Sequence, residues 1–443
     1  MLAFHESDPS SGSRLSSDHS GQSHWRSTRE PKLPQGTILN ILIVHIRFAE
    51  YDRCSGDLRL TNILRSLAER NKVALHILYK PPRFVQAPEQ RQYMQLMKEL
   101  GIEVKTGSLR ARLNEKRYDV ILIEFWYVAR HLFDQIRALQ PDARVIVDTE
   151  HVYFHANYLK ALVLGQNPGA AQLLNEKRQE LEAYVKADLV ITTTDEDKAV
   201  LLSENPQLAI ATIPNIHNVA NVDEFADAKR KPDSLVFVGN FSNNPANVDA
   251  IVHFCVETLP LVRERVPAAT LAIVGNKPPA AVQALACDHV TVTGYVPHVE
   301  PYLAASMVSI CPLRFGAGLK GKIGEAMMHG LPVVTTSIGT QGMNVRHGED
   351  IMIGDTPDQF ARCVVQLLEQ PALRKTLSRN GRNLVVRNYS FEAVAARINQ
   401  IMADLTRIAI KRYRQPKRLA LKLRFDVADL LDRHLLWKFR RSN

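Results

Sequence analysis

Hydrophobic positions along the chain fall into two series of short apolar runs that alternate with amphipathic stretches. The runs of the first series, which starts near Ile38, are Ile41–Val44, Val73–Leu78, Val120–Ile123, Val145–Asp148 and Leu189–Thr192. Between them, segments such as Leu58–Arg70 and Gln90–Leu100 carry apolar residues at three- and four-residue spacing. This alternation is typical of buried parallel strands covered by helices, so we predict a doubly wound α/β sheet.

The pattern restarts after Ile213-Pro214-Asn215 and a polar stretch that ends near Asp233. The runs of the second series are Leu235–Val238, Leu271–Val274, Val290–Thr293, Val308–Ile310 and Val333–Thr335. We therefore predict two Rossmann-like domains, residues 38–215 and 216–403, with a disordered polar segment (1–37) before them and a basic helical tail (404–443) after them. Ligands of such sheets bind beyond the carboxyl ends of the strands.

Composition and cysteine usage narrow the class of protein. Apolar residues make up 45% of the 443 residues and charged residues 23%, as in ordinary globular proteins. No run approaches the ~18 apolar residues of a membrane-spanning helix. The five cysteines are widely spaced without a C-x-x-C pair, and the N-terminus has no apolar signal region. This pattern indicates a reducing compartment, so we predict a cytoplasmic protein.

The excess of positive charge lies in the C-terminal tail. Of the formal charge of +10, the segment Asp404–Asn443 supplies +8, from 12 Lys/Arg and 4 Asp/Glu, which leaves about +2 elsewhere. A nucleic-acid partner is therefore not indicated. Apolar residues of the tail at helical spacing, and aromatic residues among its last basic ones, are Val427, Leu430, Leu431, Leu435, Trp437 and Phe439. Two interpretations stay open, a membrane-surface contact through residues 411–441 or a helix packed on the protein.

The segment between Cys311 and Thr336 carries most of the candidate chemistry. A strand ends near Cys311, a loop with Gly316, Gly318 and Gly321 follows, and a short helix runs from about Lys322 to His329. Lys320 and Lys322 have the wrong sign for a helix N-terminus, whereas glycine N–H groups and a helix N-terminus favour anions. The combination predicts a phosphate or diphosphate ligand; the alternative is a tight turn with solvated lysines.

Two further features bear on the identity of that ligand. The loop also spells G-x-G-x-x-G, but the next strand ends in Thr335-Thr336 without the acidic residue that a dinucleotide site requires, which excludes the NAD interpretation. Glu325 lies one turn into the helix, where a carboxylate can accept hydrogen bonds from ribose hydroxyls or simply stabilise the helix N-terminus.

The stretch Gly318–Thr336 resembles the signature of the group 1 glycosyltransferases, which are retaining, use nucleotide sugars and have the GT-B fold. Phe237–Asn240 and Val292–Val296 support the resemblance in the second half of the chain, where it is specific. The matches in the first half, Ser55–Arg59 and Asp148–His151, are weaker, and the resemblance as a whole spans roughly residues 40–400. The resemblance implies two Rossmann-like domains that face each other across a cleft, with the donor on the second domain.

The resemblance also implies roles for individual residues. Lys320 and Lys322, with the loop backbone at Gly316, Ala317 and Gly318, would hold the diphosphate. Other donor contacts would come from Gly239, from Asn240, from Glu325 at the ribose and from the backbone at Val296 at the base. His151, or less well His155, would lie near the sugar, and with Lys322 and Glu325 it completes the catalytic set. The acceptor side would be formed by Gly56, Asp57 and Arg59.

The chain departs from the family pattern in two respects, which concern three positions. Ala317 stands where many members have an acidic residue that touches the donor sugar, and Asn240 and Asn247 stand where many have a cation. Asp195-Glu196-Asp197 spells D-x-D, a metal-binding pattern elsewhere, but it opens a helix whose N-terminus favours acidic residues. We therefore expect no metal and no cofactor, the nucleotide sugar being a substrate.

The function predicted is transfer of a sugar, with retention, from a nucleotide diphosphate donor to a hydroxyl of a saccharide or lipid-linked glycan, in cell-envelope polysaccharide biosynthesis. The enzyme would be cytoplasmic and peripheral on the inner face of the membrane. Two alternatives stay open: a GT-B nucleotide-sugar epimerase, and a catalytically inactive nucleotide-binding scaffold, which the departure at Ala317 motivates.

Overall fold

The computed structural model describes residues 25–26, 37–52, 55–78, 88–217, 230–242, 244–316 and 318–441, with the backbone alone over 429–441. The strands are β1 (Trp25–Arg26), β2 (Asn40–His45), β3 (Lys72–Ile77), β4 (Glu103–Thr106), β5 (Val120–Glu124), β6 (Arg144–Asp148), β7 (Leu189–Thr192), β8 (Ile210–Thr212), β9 (Ser234–Val238), β10 (Thr270–Val274), β11 (Val290–Gly294), β12 (Val308–Cys311), β13 (Val333–Thr335), β14 (Met352–Ile353) and β15 (Arg412–Tyr413).

The α-helices are α1 (Ser55–Ala68), α2 (Pro88–Glu99), α3 (Leu109–Glu115), α4 (Trp126–Leu139), α5 (Tyr153–Val163), α6 (Ala171–Lys186), α7 (Asp195–Glu204), α8 (Pro245–His253), α9 (Leu259–Arg265), α10 (Ala280–Gln283), α11 (Glu300–Ala305), α12 (Gly321–Met328), α13 (Pro357–Glu369), α14 (Pro371–Tyr389), α15 (Phe391–Asp404) and α16 (Gln415–Arg441). A π-helical turn, Phe254–Thr258, joins α8 to α9, and a 3-10 turn, Leu405–Arg407, follows α15.

Two parallel sheets organise the fold. The first has the strand order β4-β3-β2-β5-β6-β7-β8 and the second β11-β10-β9-β12-β13-β14. The predicted α/β fold with two doubly wound sheets is therefore confirmed, and every predicted apolar run falls in a strand. The runs did not predict β4, β8 or β14. These strands lie at the sheet edges, where one side of the strand is unpaired and an apolar run is not needed.

Each sheet is buried on both faces, as the apolar runs require. In β2, Leu42 and Val44 belong to one core cluster and Ile41 and Ile43 to the other, and all four side chains are inaccessible to solvent. Burial of such a side chain contributes about 1.5–3 kcal/mol to the stability of the domain. The strands are thus held in the middle of the molecule, and their carboxyl ends carry the loops of the site.

The C-terminal part of the chain returns to the first domain. Helix α15, within the predicted range 216–403, packs on α1, and its Val394 and Ile398 belong to a core cluster of the first sheet. Strand β15 then pairs antiparallel with β1, and α16 packs on α4. Trp25–Arg26 lie in the segment 1–37 that is predicted to be disordered, and in the structure they form this pairing with a strand almost 390 residues later in the chain.

The buried carboxylate of Asp188 holds the C-terminal segment against the first domain. Asp188 accepts hydrogen bonds from the backbone N–H of Val145 and of Lys411, both at 2.7 Å, and Arg137 Nη2 lies 2.9 Å from its Oδ1. Both charged side chains are fully buried. No helix within the described ranges is long and apolar enough to cross a membrane.

We expect Asp188→Ala to lower the free energy of unfolding by about 3–5 kcal/mol, because it leaves a buried guanidinium and two backbone donors without their acceptor. Urea unfolding followed by fluorescence would measure the loss. The control is Asp142→Ala, which breaks the ion pair of Arg412 with a side chain that is 82% exposed and should cost less than about 1 kcal/mol. Equal losses in the two variants would contradict this role of Asp188.

Candidate active site

The loop between β12 and α12 has a conformation that requires glycine. Gly316 has φ 141° and Gly318 φ 70°, both in the left-handed region. Lys320 takes the N-cap position of α12, and its Nζ donates to the carbonyl of Gly318 at 2.5 Å. The first turn of α12 therefore lies beside a loop whose backbone can approach a ligand closely. Ala317 lies outside the described residues.

Lys322 lies where the strand β9 and helix α8 meet α12. Its Nζ donates to Asn247 Oδ1 at 2.5 Å and lies 4.3 Å from the centre of the Phe237 ring. Asn247 Nδ2 donates in turn to the carbonyl of Asn240 at 2.7 Å. A Cβ on Gly239 would lie only 3.1 Å from the Lys322 Nζ. The structure thus brings together the predicted donor residues Gly239, Asn240 and Lys322.

The two lysines have perturbed acidities. Burial lowers the pKa of Lys320 to about 8, and burial also lowers the pKa of Lys322. Neither has an ion-pair partner among the described residues; each donates to a neutral oxygen. A bound anion would restore the pKa of both groups, so the pocket is electrostatically prepared for a phosphate.

Glu325 lies one turn further along α12. Its half-buried carboxyl group has no hydrogen bond or ion pair within the described part of the chain. Burial, and then the charge of Glu300, raise its pKa to about 7. Val296 packs against the core cluster that contains Ile323 and Ala326 of α12. A carboxyl group that is neither solvated nor paired is free to bind ligand hydroxyls.

The sequence did not reveal the residues that hold α12 and its loop in place. The Arg230 guanidinium donates to the carbonyls of Leu303 and Ser306 at 3.0 and 2.6 Å, and to those of His329 and Gly330 at 3.4 and 3.3 Å. Arg314 makes two hydrogen bonds to Asp249, at 2.8 and 2.5 Å. Because these partners lie 65 to 100 residues apart in the chain, no local pattern predicts them.

The first domain closes over the start of α12. A Cβ on Gly321 would lie 2.5 Å from the Ser55 Cβ, and one on Gly318 would lie 3.0 Å from the His151 Cβ. Asn215 Nδ2 donates to the carbonyl of Leu319 at 3.1 Å. A cavity of about 100 Å³ remains between the domains, and its walls include Gly56, Arg59, Glu150, His151, Asn215 and Gly318.

His151 faces the glycine-rich loop between β12 and α12 across this cavity. Its ring stacks on Tyr153 with the centroids 4.1 Å apart, and burial, then the charge of Lys320, lower its pKa to about 4. The imidazole is therefore neutral at physiological pH. His155, on the next turn, is not among the residues that line the cavity.

The three predicted acceptor-side residues differ in their placement. Gly56 and Arg59 line the cavity. Asp57 instead forms hydrogen bonds with the loop before α1: its carboxylate accepts from Arg47 Nη1 at 2.5 Å and from the backbone N–H of Glu50 at 2.8 Å. Arg59 is fully buried and donates to Asp148 Oδ2 at 2.9 Å and to the carbonyl of Ile213 at 3.0 Å.

The D-x-D residues belong to the N-terminus of α7. Thr194 is the N-cap and accepts from the N–H of Asp197, while Asp195 Oδ1 accepts from Thr212 Oγ1 at 2.6 Å. Burial raises the pKa of Asp197 to about 6, against the opposing charge of Lys320. Over the described residues, no group of three or more His, Cys, Asp or Glu side chains is arranged to hold a metal ion.

His217 provides a pH-sensitive contact at the domain junction. The backbone N–H of His217 donates to the carbonyl of Tyr389 at 2.8 Å. The imidazole ring packs against α12, where a Cβ on Gly324 would lie 2.2 Å from the ring Nε2. Burial lowers the pKa of His217 to about 4, and Nε2 has no hydrogen-bond partner among the described atoms. The folded protein therefore holds this ring uncharged.

We expect His217 to reduce the stability of the protein in acid. Between pH 6.5 and about 4 the unfolded chain binds a proton that the folded state excludes, so stability is complete above pH 6.5 and falls by up to about 3 kcal/mol as the pH is lowered. Thermal unfolding across this range should show a shallower decline in His217→Asn. His298→Asn, at a side chain that is 77% exposed, should keep the slope of the unchanged protein; parallel slopes in all three would rule the effect out.

Part of the chain matches the model of a known protein family. The family model described as "Glycosyl transferases group 1" matches residues 232–370. The protein named "Uncharacterized 44.6 kDa protein in cps region" of Klebsiella pneumoniae is 23% identical over 320 residues, which cover 68% of this chain and 79% of that protein.

Two solved structures are similar in fold. Sucrose-phosphate synthase from Thermosynechococcus elongatus has a TM-score of 0.64 at 17% identity, over 83% of this chain and 99% of that one. HepE from Anabaena, in complex with UDP, has a TM-score of 0.60 at 14% identity, over 83% of this chain and 100% of that one. The chain therefore has the GT-B fold, and its second domain, which carries the glycine-rich loop and α12, is a glycosyl transferases group 1 domain.

Proposed function

We propose that this protein is a retaining glycosyltransferase that moves a sugar from a nucleoside diphosphate donor to a hydroxyl of a saccharide or lipid-linked glycan. The observation that carries the proposal is the start of α12, where Lys320 and Lys322 lie at a helix N-terminus without ion-pair partners among the described residues, and where the charge of Lys320 acts on His151 of the first domain. A diphosphate satisfies both cations and the free N–H groups together.

The donor would lie along α12, with its diphosphate, ribose and base each in contact with a different part of the site. The lysines and the loop backbone neutralise the diphosphate, which gains charge as it departs. Glu325 accepts hydrogen bonds from the ribose, and the backbone at Val296 contacts the base. The sugar then projects into the cavity beside the neutral His151. A ring of low basicity suits a hydrogen-bonding contact to the sugar better than proton abstraction.

The transfer would proceed as a substitution on one face of the sugar. The bond from the anomeric carbon to the diphosphate oxygen breaks, and a bond to the acceptor oxygen forms on the same face. The acceptor proton passes to an oxygen of the departing nucleoside diphosphate, so no protein base is needed. We propose that no metal takes part, since Lys320 and Lys322 supply the positive charge that a metal ion would otherwise bring.

The relatives support the setting that we propose. HepE was crystallised with UDP-glucose, and the Klebsiella pneumoniae relative is named for a cps region. We infer a nucleotide-sugar donor, a glycan acceptor and a role in cell-envelope polysaccharide biosynthesis. The spacing of the cysteines supports a cytoplasmic reaction.

The helix α16 supports contact with the inner face of the membrane. Leu419, Leu423 and Val427 recur every four residues on its surface and are 55%, 65% and 46% exposed. Lys422 and Arg424 are exposed beside them. An apolar stripe flanked by cations on a surface helix favours the interface of an anionic bilayer. The predicted aromatic contacts at Trp437 and Phe439 lie outside the described side chains.

Donor binding tests the proposal first. Titration calorimetry with UDP-, GDP-, dTDP- and ADP-sugars should reveal one preferred nucleotide, and Lys322→Ala should weaken its binding about 10- to 100-fold, the value for losing one charge-assisted hydrogen bond. Lys375→Ala, an exposed lysine of α14, should leave affinity unchanged.

The turnover of the bound donor separates the alternatives. Release of nucleoside diphosphate that speeds up with a glycan acceptor indicates transfer, whereas turnover of the sugar without release indicates an epimerase. Binding without either reaction would favour the scaffold alternative. Absence of any binding up to about 1 mM, which corresponds to about −4 kcal/mol, would refute the diphosphate site.

Membrane contact is tested by co-sedimentation with phosphatidylglycerol vesicles. We expect Leu423→Asp to reduce the bound fraction several-fold, because it places a charge in the apolar stripe. Val256→Asp changes a residue that is 59% exposed on the second domain and should bind as the unchanged protein does. Equal binding of all three proteins would exclude α16 as the membrane contact.

A further inference from the structure

Charged side chains crowd the first-domain wall of the interdomain cavity. Glu124 ends β5, Asp148 ends β6, and Glu150 follows two residues later. His45 Nε2 lies 3.0 Å from Glu124 Oε2, and Arg59 Nη1 lies 2.9 Å from Asp148 Oδ2. Two of the three carboxyl groups thus have a cation of their own. Glu150 has no ion-pair partner in the described part of the chain.

The backbone of Glu150 is strained. Its φ of 55° lies in the left-handed region, which is unfavourable for a residue other than glycine. Two hydrogen bonds hold it there: its N–H donates to Asp148 Oδ1 at 3.2 Å, and Thr193 Oγ1 donates to its carbonyl at 2.6 Å. Such strain persists only where the surroundings fix the residue, and here it presents both Glu150 and His151 to the cavity.

The first helix makes room for the Glu150 side chain. A Cβ on Gly56, at the start of α1, would lie 2.2 Å from Glu150 Oε1. Any other residue at position 56 would therefore displace the carboxyl group from the cavity wall. Gly56 was predicted to face the acceptor, but in the structure it also provides the space that Glu150 occupies.

The surroundings determine which carboxyl group carries a proton. The Glu124 and Glu150 carboxyl groups influence each other, because two carboxylates close together on a buried wall repel. Burial, and then the charge of Glu124, raise the pKa of Glu150 well above its ordinary value. Burial also acts to raise the pKa of Glu124, but His45 and Arg59 together bring it below its ordinary value. The protonated form is therefore favoured at Glu150 rather than at Glu124. The titratable groups that face it are Asp57, Arg59, Glu124, Tyr127, Asp148, His151 and Tyr153.

We propose that Glu150 is a further sugar-binding residue of the transferase, whose carboxyl O–H donates a hydrogen bond to an oxygen of the sugar that is transferred. The inference rests on the proposed function. Gly318 and His151 share the cavity with Glu150, and Gly318 belongs to the proposed diphosphate loop. The donor atoms next to the diphosphate are those of the sugar, so the cavity beside Glu150 receives them.

The neutral form is the one that suits this position. A carboxylate at Glu150 would repel the diphosphate held by Lys320 and could only accept hydrogen bonds, whereas the acid both donates and carries no charge. Turnover should therefore decline as the pH rises through the pKa of Glu150, because the charged form then appears in the cavity.

The test compares Glu150→Gln, which keeps a neutral donor, with Glu150→Ala, which removes it. For each variant we would measure UDP affinity by calorimetry. We would also measure the rate of nucleotide release from the sugar nucleotide that the unchanged protein turns over fastest, between pH 6 and 10. This range lies above the ordinary pKa of a carboxyl group, about 4. Glu182→Gln, at an exposed glutamate of α6, is the matched control.

We expect turnover at neutral pH to fall about 10- to 100-fold in Glu150→Ala and to stay within about fivefold in Glu150→Gln, with UDP affinity unchanged in both. At a saturating concentration of the sugar nucleotide, where the bound diphosphate keeps Lys320 charged, Glu150→Gln should also lose the alkaline decline that the unchanged protein and Glu182→Gln show. An infrared difference spectrum of the unchanged protein against Glu150→Gln at neutral pH should contain the carbonyl band of a protonated carboxyl group.

The outcomes separate this inference from the proposed function. Unchanged turnover and an unchanged pH profile in both Glu150 variants, or a difference spectrum that shows only a carboxylate, would overturn the role of Glu150 while leaving the transferase intact. A parallel loss of UDP affinity would assign Glu150 to the nucleotide instead and would equally overturn it. Failure of the unchanged protein to bind any of the four nucleoside diphosphates, or to turn over any of their sugar nucleotides, would instead refute the proposed function, and the inference with it.

Discussion

The close approach of the helix α12 to the first domain is the constraint on which the site depends. Gly318 lies against His151, Gly321 against Ser55 and Gly324 against His217. At each glycine a Cβ atom would fit only if the neighbouring side chain moved away. Because the contact is made by backbone, the start of α12 lies directly against the loops that follow β2 and β6. A single methyl group at Gly321 or Gly324 would hold the cleft open and separate Lys320 from His151.

The closed cleft sets opposite electrostatic conditions on its two sides. The second domain presents Lys320 and Lys322, whose pKa values are lowered by burial and which form no ion pair within the described residues. The first domain presents the carboxyl group of Glu150, whose pKa burial raises well above its ordinary value. Both sides would be stabilised by a ligand with an anionic end and a hydroxylated end, which is the chemistry of a nucleotide sugar.

The two domains are joined by more than their linker. The helix α12 packs on α14, which continues through Ser390 into α15, and α15 packs on α1, whose N-terminus returns to α12. The buried Asp188 then fixes the next segment of the chain to β6 through Val145. This circuit of contacts keeps the start of α1 and the start of α12 at one place, so the return of the C-terminal helices belongs to the architecture of the site.

The sequence by itself determined the two sheets and the glycine-rich loop with its two lysines. Apolar runs long enough to be buried on both faces specify central strands, and Gly316, Gly318, Lys320 and Lys322 stand close together in the chain. It did not determine β1, β8 or the placement of α15, since their partners are distant or their burial is slight. Only the tertiary structure decided that Arg47 binds Asp57, that Arg230 fixes α12, and that the pKa of Glu150 is raised. A pKa depends on burial and on charges from several elements at once, and no local pattern contains that information.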